Sequence, residues 1–112
     1  MSSKEFNVVA ILYPKKGKVD EVIGLLQGVS EYVKAKEPFV LKYEINRSLR
    51  PNKDGTEEII MMERHKDQQG LKAHGSSEPF TAFQKTLAER DLLRAPTTLK
   101  MVSQHGGFAS RL

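Results

Sequence analysis

The sequence predicts an α+β domain built on one four-stranded antiparallel sheet, and three observations carry that prediction. Apolar residues follow strand and helix periods in the order βαββαβ. A turn-forming run, Pro51-Asn-Lys-Asp-Gly55, separates the two middle strands closely enough to pair them as a hairpin. The 112 residues suffice for one core, so no second catalytic or cofactor domain is expected. Together these describe the ferredoxin-like arrangement, a sheet with two helical layers on one face.

Each element has its own local cause. Phe6 to Tyr13 is rich in β-branched residues and stops at Pro14, which reads as a first strand buried on both faces. After the Lys15-Lys-Gly17 turn, Val19, Val22, Ile23, Leu26, Val29 and Val33 recur at helical spacing. Asp20 and Glu21 at the start of that helix and Lys34 and Lys36 near its end complement its dipole, and the helix must stop before Pro38. Val40 to Arg47 alternates, with Leu41, Tyr43 and Ile45 on one side, as a half-buried strand does. Glu57 to His65 resumes the extended pattern. Asp67 caps a short helix that runs to His74 and breaks at Gly75-Ser-Ser77. Phe80, Phe83 and Leu87 then share one face of a further helical segment, which Pro96 closes, and Thr97 to Val102 forms the last strand. The core spans about residues 6–102, with a glycine-bearing tail over 103–112.

This arrangement leaves one sheet face without helices. A first strand apolar on both sides cannot leave that face in water, so a homodimer joined through the sheet faces is expected. A core this small also favours a pocket completed by a second copy.

Charge and composition exclude more than they assign. The net charge of +4 is spread evenly, with ten bases and seven acids in residues 1–56 and eight and seven in residues 57–112. Lys15, Lys16 and Lys18 form the tightest cluster and read as a solvated loop. RNA-recognition domains share the βαββαβ order but stack bases on aromatic residues of the central strands; here those positions hold Val8 to Leu12 and Ile59 to Met62, so no nucleic acid is expected. The absence of cysteine removes disulfides, thiolate nucleophiles and cysteine-held metals. No metal-ligand spacing, phosphate-binding glycine loop or hydrolase elbow occurs. The longest apolar run, Val8 to Tyr13, is too short for a signal or membrane segment, so a soluble cytoplasmic protein is expected.

The third strand and the short helix after it carry the chemistry. Ile59, Met61, Glu63 and His65 share one strand face, so a carboxylate and an imidazole follow two apolar residues down one side. On the uncovered face they would sit at the mouth or floor of a pocket; the plainer reading is a solvated strand end. His74 lies on the apolar side of the short helix, where it is either a packed, hydrogen-bonded residue or a base, histidine being the side chain best suited to proton transfer near neutral pH. Met61 and Met62 suit a tolerant apolar wall or ordinary core packing.

Glu63-Arg-His65-Lys66-Asp67-Gln-Gln-Gly-Leu71-Lys-Ala73-His74, followed by Pro79-Phe80, resembles the antibiotic biosynthesis monooxygenase-like family of dimeric α/β-barrel proteins. Val9 to Pro14 with Lys16-Gly17, and Leu41 to Ile45, are similar to that family's first two strands, so the resemblance covers roughly Phe6 to Val102. The family is chemically mixed, with cofactor-independent oxygenases of quinol- or anthrone-like molecules, haem-degrading enzymes and an isomerase of a small signalling molecule. Where the haem-degrading branch uses asparagine, tryptophan and histidine, this sequence carries Ala10, His65 and Gln84, which speaks against haem. The resemblance implies a monooxygenase of a small, largely apolar aromatic molecule, working without cofactor or metal by deprotonation and direct reaction with dioxygen. On that basis the catalytic candidates are His74 as base or hydrogen-bonding group, Glu63 as its orienting partner, and His65. The substrate-binding candidates are Tyr43 as a donor to a substrate oxygen, with Met61, Phe80 and Phe83 as walls. A non-catalytic binding or stress-response module and an isomerase on the same fold are the alternatives.

Overall fold

The computed structural model describes residues 4–112. The strands β1 (Phe6–Pro14), β2 (Val40–Arg47), β3 (Ile59–His65) and β4 (Leu93–Val102) form one sheet in the order β2-β3-β1-β4, antiparallel at every pairing. The helices α1 (Val19–Lys36), α2 (Gln68–Gly75) and α3 (Glu78–Glu89) complete the expected ferredoxin-like α+β topology.

The β1–β3 register sets the two sheet faces. Phe6, Val8, Ala10 and Leu12 stand opposite His65, Glu63, Met61 and Ile59, and all eight are buried. Val22, Leu26, Val29 and Val33 of α1 pack with this face, joined by Phe83 and Leu87 of α3 and by Leu92. The other face carries Asn7, Val9 and Ile11 opposite Arg64, Met62 and Ile60, and Tyr13 opposite Ala95 of β4. Its β1 residues are half-buried, so within one chain this strand is fully covered on one side only, where the sequence reads it as covered on both. Met62 there is 43% exposed.

Local signals fix the helix ends. Asp67 Oδ1 accepts the Gly70 N–H at 2.7 Å and starts α2. Gly70 is required by a close approach: a Cβ there would lie 2.7 Å from Phe39 Cδ1 and 3.1 Å from Asp67 Oδ1. Ser77 caps α3, with Pro79 in its first turn.

The last strand departs from the expectation. Helix α3 ends at Glu89, before Pro96 is reached, and Asp91 turns the chain in the left-handed region at φ 52°. Lys15 pairs with the Asp91 carboxylate, and its backbone N–H donates to Leu92 O at 2.8 Å. β4 therefore starts at Leu93, four residues ahead of Thr97, and contains Pro96. An edge strand tolerates a residue without an N–H, and the β1–β4 register shifts around it between Ile11 and Pro14. Among the described residues no helix is long and apolar enough to cross a membrane.

Candidate active site

A cavity of about 400 Å³ lies between the sheet and the helices, within the usual range of small-molecule sites. Val8, Ala10 and Leu12 of β1 and Met61 of β3 line its sheet side. Leu26, Phe80 and Phe83 line the helix side, and Leu99 of the exposed β4 edge adds a rim. Polar groups in this apolar wall are few: Tyr43, Glu63 and His74, with Thr97 and Gln84.

His74 owes its place to α2. The helix is short, its start is pinned by Asp67, and His74 falls in its last turn on the inner side, 4% exposed. Its Nδ1 lies 2.7 Å from Glu37 Oε1. Glu37 is itself 4% exposed and caps the C-terminus of α1, donating its N–H to Val33 O at 2.9 Å. Its carbonyl accepts the Val40 N–H at 2.9 Å, closing a tight turn with Pro38 at its second position. A carboxylate that accepts from Nδ1 holds the neutral imidazole with its proton there, which leaves Nε2 as a lone-pair acceptor. Nε2 has no hydrogen-bond partner among the described residues.

Three rings surround His74. Tyr43 stands edge-on at 5.3 Å between centroids, Phe80 lies at 5.0 Å, and the His65 ring at 5.8 Å. Phe80 continues to Phe83 at 6.1 Å, so the aromatic wall runs along α3. Burial first, and then the nearby Glu63 and Glu37 carboxylates, push the Tyr43 hydroxyl well above the usual tyrosine range. Tyr43 is thus a phenol, and a hydrogen-bond donor, at any physiological pH.

That shift has a sign that can be checked. Above about pH 10 the unfolded chain ionises Tyr43 while the folded chain keeps its proton, so folding stability falls as pH rises through this range. Tyr43→Phe is expected to flatten the decline of stability between about pH 10 and 11.5, measured by urea titration at each pH. An unchanged slope would remove Tyr43 from the account.

Several candidates named from sequence meet here: His74, Glu63, Tyr43, Met61, Phe80 and Phe83 all border the cavity. His65 does not; it lies fully buried behind the wall, bonded through Nε2 to Glu63 Oε1 at 2.8 Å. Glu63 and His65 occupy the helix-covered sheet face, not the uncovered one. Glu63 accordingly serves His65, and the partner of His74 is Glu37, which sequence reasoning missed. One signal for it existed. An acidic residue at a helix C-terminus opposes the dipole, so Glu37 after Lys34 and Lys36 breaks an otherwise favourable pattern. Among the described residues no group of three histidine, aspartate or glutamate side chains is placed to hold a metal ion.

The fold is shared widely. A protein from Caulobacter crescentus CB15 whose name assigns it to the antibiotic biosynthesis monooxygenases superposes with a TM-score of 0.79 at 22% identity, over 93% of this chain and 92% of its own. A conserved protein from Methanosarcina mazei Go1 does so with 0.76 at 25% identity, over 92% and 95%. Rv0793 from Mycobacterium tuberculosis gives 0.75 at 18% identity, over 95% and 100%. No curated protein matches the chain. The sequence model of the family described as antibiotic biosynthesis monooxygenase matches residues 6–86, which span β1 through most of α3. The chain belongs to the antibiotic biosynthesis monooxygenase family.

Proposed function

We propose that the cavity binds a small aromatic metabolite of the quinol or anthrone type and that the protein oxygenates it without a cofactor, with His74 as the base. The observation that carries this reading is the His74–Glu37 pair: a buried imidazole at the cavity wall, oriented through Nδ1 and unpartnered at Nε2. In this reading Nε2 takes the proton of an acidic substrate hydroxyl, and Glu37 stabilises the imidazolium that forms. Tyr43 donates to the resulting oxyanion. The electron-rich anion reduces dioxygen directly: the ring C–H conjugated with the ionised hydroxyl becomes a carbonyl with one oxygen atom, and the other leaves as water with that hydrogen and the proton held by His74. The apolar walls Met61, Phe80 and Phe83 hold the rings and exclude water, which strengthens each polar contact.

The test is oxygen uptake by metal-stripped protein over a panel of hydroquinones and anthrones. Turnover is expected in the wild type and background uptake in His74→Ala. Equal rates for the two proteins would defeat the reading. Exchange of substrate protons without oxygen uptake would instead assign an isomerase.

The same reading makes the protein a homodimer through the face that carries Val9, Ile11, Ile60 and Met62. These apolar side chains are register neighbours in the centre of the sheet and lie outside the core cluster that packs with the helices. Met62→Lys places a charge at the middle of that contact. Light scattering at micromolar concentration is expected to give twice the monomer mass for the wild type and the monomer mass for the variant, with circular dichroism unchanged. A monomeric wild type would contradict the proposal.

A further inference from the structure

The proposed chemistry uses His74, Glu37 and Tyr43 and leaves the second buried pair, Glu63 with His65, without a task. His65 Nδ1 is buried and has no hydrogen-bond partner among the described residues. A proton there would be an orphaned donor of a charged ring, which is far costlier than an unpaired lone pair on a neutral one. His65 therefore keeps its proton on Nε2 and donates to Glu63 Oε1, while its ring stacks on Phe6 at 5.8 Å with planes 19° apart. Phe6 and Glu63 between them leave His65 a single orientation.

Glu63 is 7% exposed and forms part of the cavity wall, yet only one of its oxygens is used. Oε2 has no hydrogen-bond partner among the described residues. The oxygen keeps some contact with solvent, and because a bare carboxylate oxygen is costly away from water, a ligand that displaces that solvent must bring a donor that the protein itself does not provide. Tyr43 stands directly across the β2–β3 ladder from Glu63 and edge-on to His74. The polar part of the wall thus offers an acceptor at His74, a donor at Tyr43 and a second acceptor at Glu63.

We propose that Glu63 is a specificity-determining residue: its free oxygen accepts a hydrogen bond from a second donor on the ligand, so the cavity selects aromatic molecules with another O–H or N–H beside the hydroxyl that faces His74. The inference rests on the reading of the cavity as a ligand site with His74 as its base. Electrostatics points the same way. An anion formed at the first hydroxyl is repelled by the Glu63 carboxylate, and a ligand donor placed on Glu63 offsets that repulsion. A ligand with one hydroxyl has nothing to offset it.

Calorimetric titration under anaerobic conditions tests this with 1,3-dihydroxynaphthalene and 3-methoxy-1-naphthol. Wild-type protein is expected to bind the dihydroxy compound about 10-fold more tightly or better, as a hydrogen bond to a charged acceptor implies. In Glu63→Gln, which keeps the acceptor for His65 but lacks the carboxylate, the ratio is expected to fall below about 3-fold. Glu63→Asp, with a withdrawn carboxylate, should lower it as well and serves if the glutamine variant fails to fold. A wild-type ratio near one, an undiminished ratio in the folded variant, or no binding of either naphthol overturns the proposal. Admitting air then separates the two readings: a Glu63-dependent preference without oxygen uptake defeats only the oxygenase, and uptake without the preference defeats only the role of Glu63.

Discussion

Glu37→Gln is expected to lower kcat about 10²–10⁴-fold while leaving KM nearly unchanged, a loss comparable to that of His74→Ala. The reason lies in the tautomer. A carboxylate can only accept, so it fixes the His74 proton on Nδ1 and presents the Nε2 lone pair to the cavity. A glutamine amide can also donate. With its N–H₂ turned to Nδ1 it stabilises the opposite tautomer, whose Nε2 carries a proton and cannot act as a base. It also fails to compensate the imidazolium once a proton is taken. The two effects act on the chemical step, and Glu37 does not border the cavity, so binding should survive. Steady-state oxygen uptake on the substrate that the panel identifies measures both constants. A kcat within threefold of wild type would show that Glu37 is only a structural partner.

The largest effect on stability is expected at the other end of β3. Ile59 is fully buried, stands opposite Leu12 on β1 and Arg47 on β2, and does not touch the cavity. Ile59→Ala removes buried methyl and methylene groups from the core cluster and should cost about 2–5 kcal/mol. That is a large share of the 5–15 kcal/mol that holds a typical domain together. Urea and thermal unfolding at fixed protein concentration measure it, with a fall in Tm on the order of 10 °C. Ile59 and His65 are the two ends of the strand, so kcat well below the lowered Tm should stay close to wild type. A cost below 1 kcal/mol would mean that the neighbouring side chains close over the gap.

How far these features were legible in the sequence depends on the range of the contacts that create them. The strand from Phe6, the helix from Val19 to Lys36 and the Asp67 cap are set by neighbours a few residues apart, and they stand where periodicity put them. Pro96 misled because the sequence shows a missing N–H but not that β4 lies at the sheet edge, where that loss is harmless. The candidate site was legible as a set of residues and not as pairings. Glu63 and His65 sit two apart on one strand, while Glu37 and His74 are 37 residues apart and meet only because α2 packs beside the turn that joins α1 to β2. No spacing rule reaches that far. The covered face of β3 was equally hidden, since alternation defines two faces without saying which one the helices choose.

The cavity has a consequence for how the protein can change. Val8, Ala10, Leu12, Leu26, Met61 and Phe83 all line the cavity and all belong to the buried core between the sheet and the helices. A substitution that reshapes the space for a different ring system therefore also alters the packing on which folding depends. Drift toward new substrates is coupled to thermodynamic margin in this chain, and variants that already have surplus stability are the ones free to explore them.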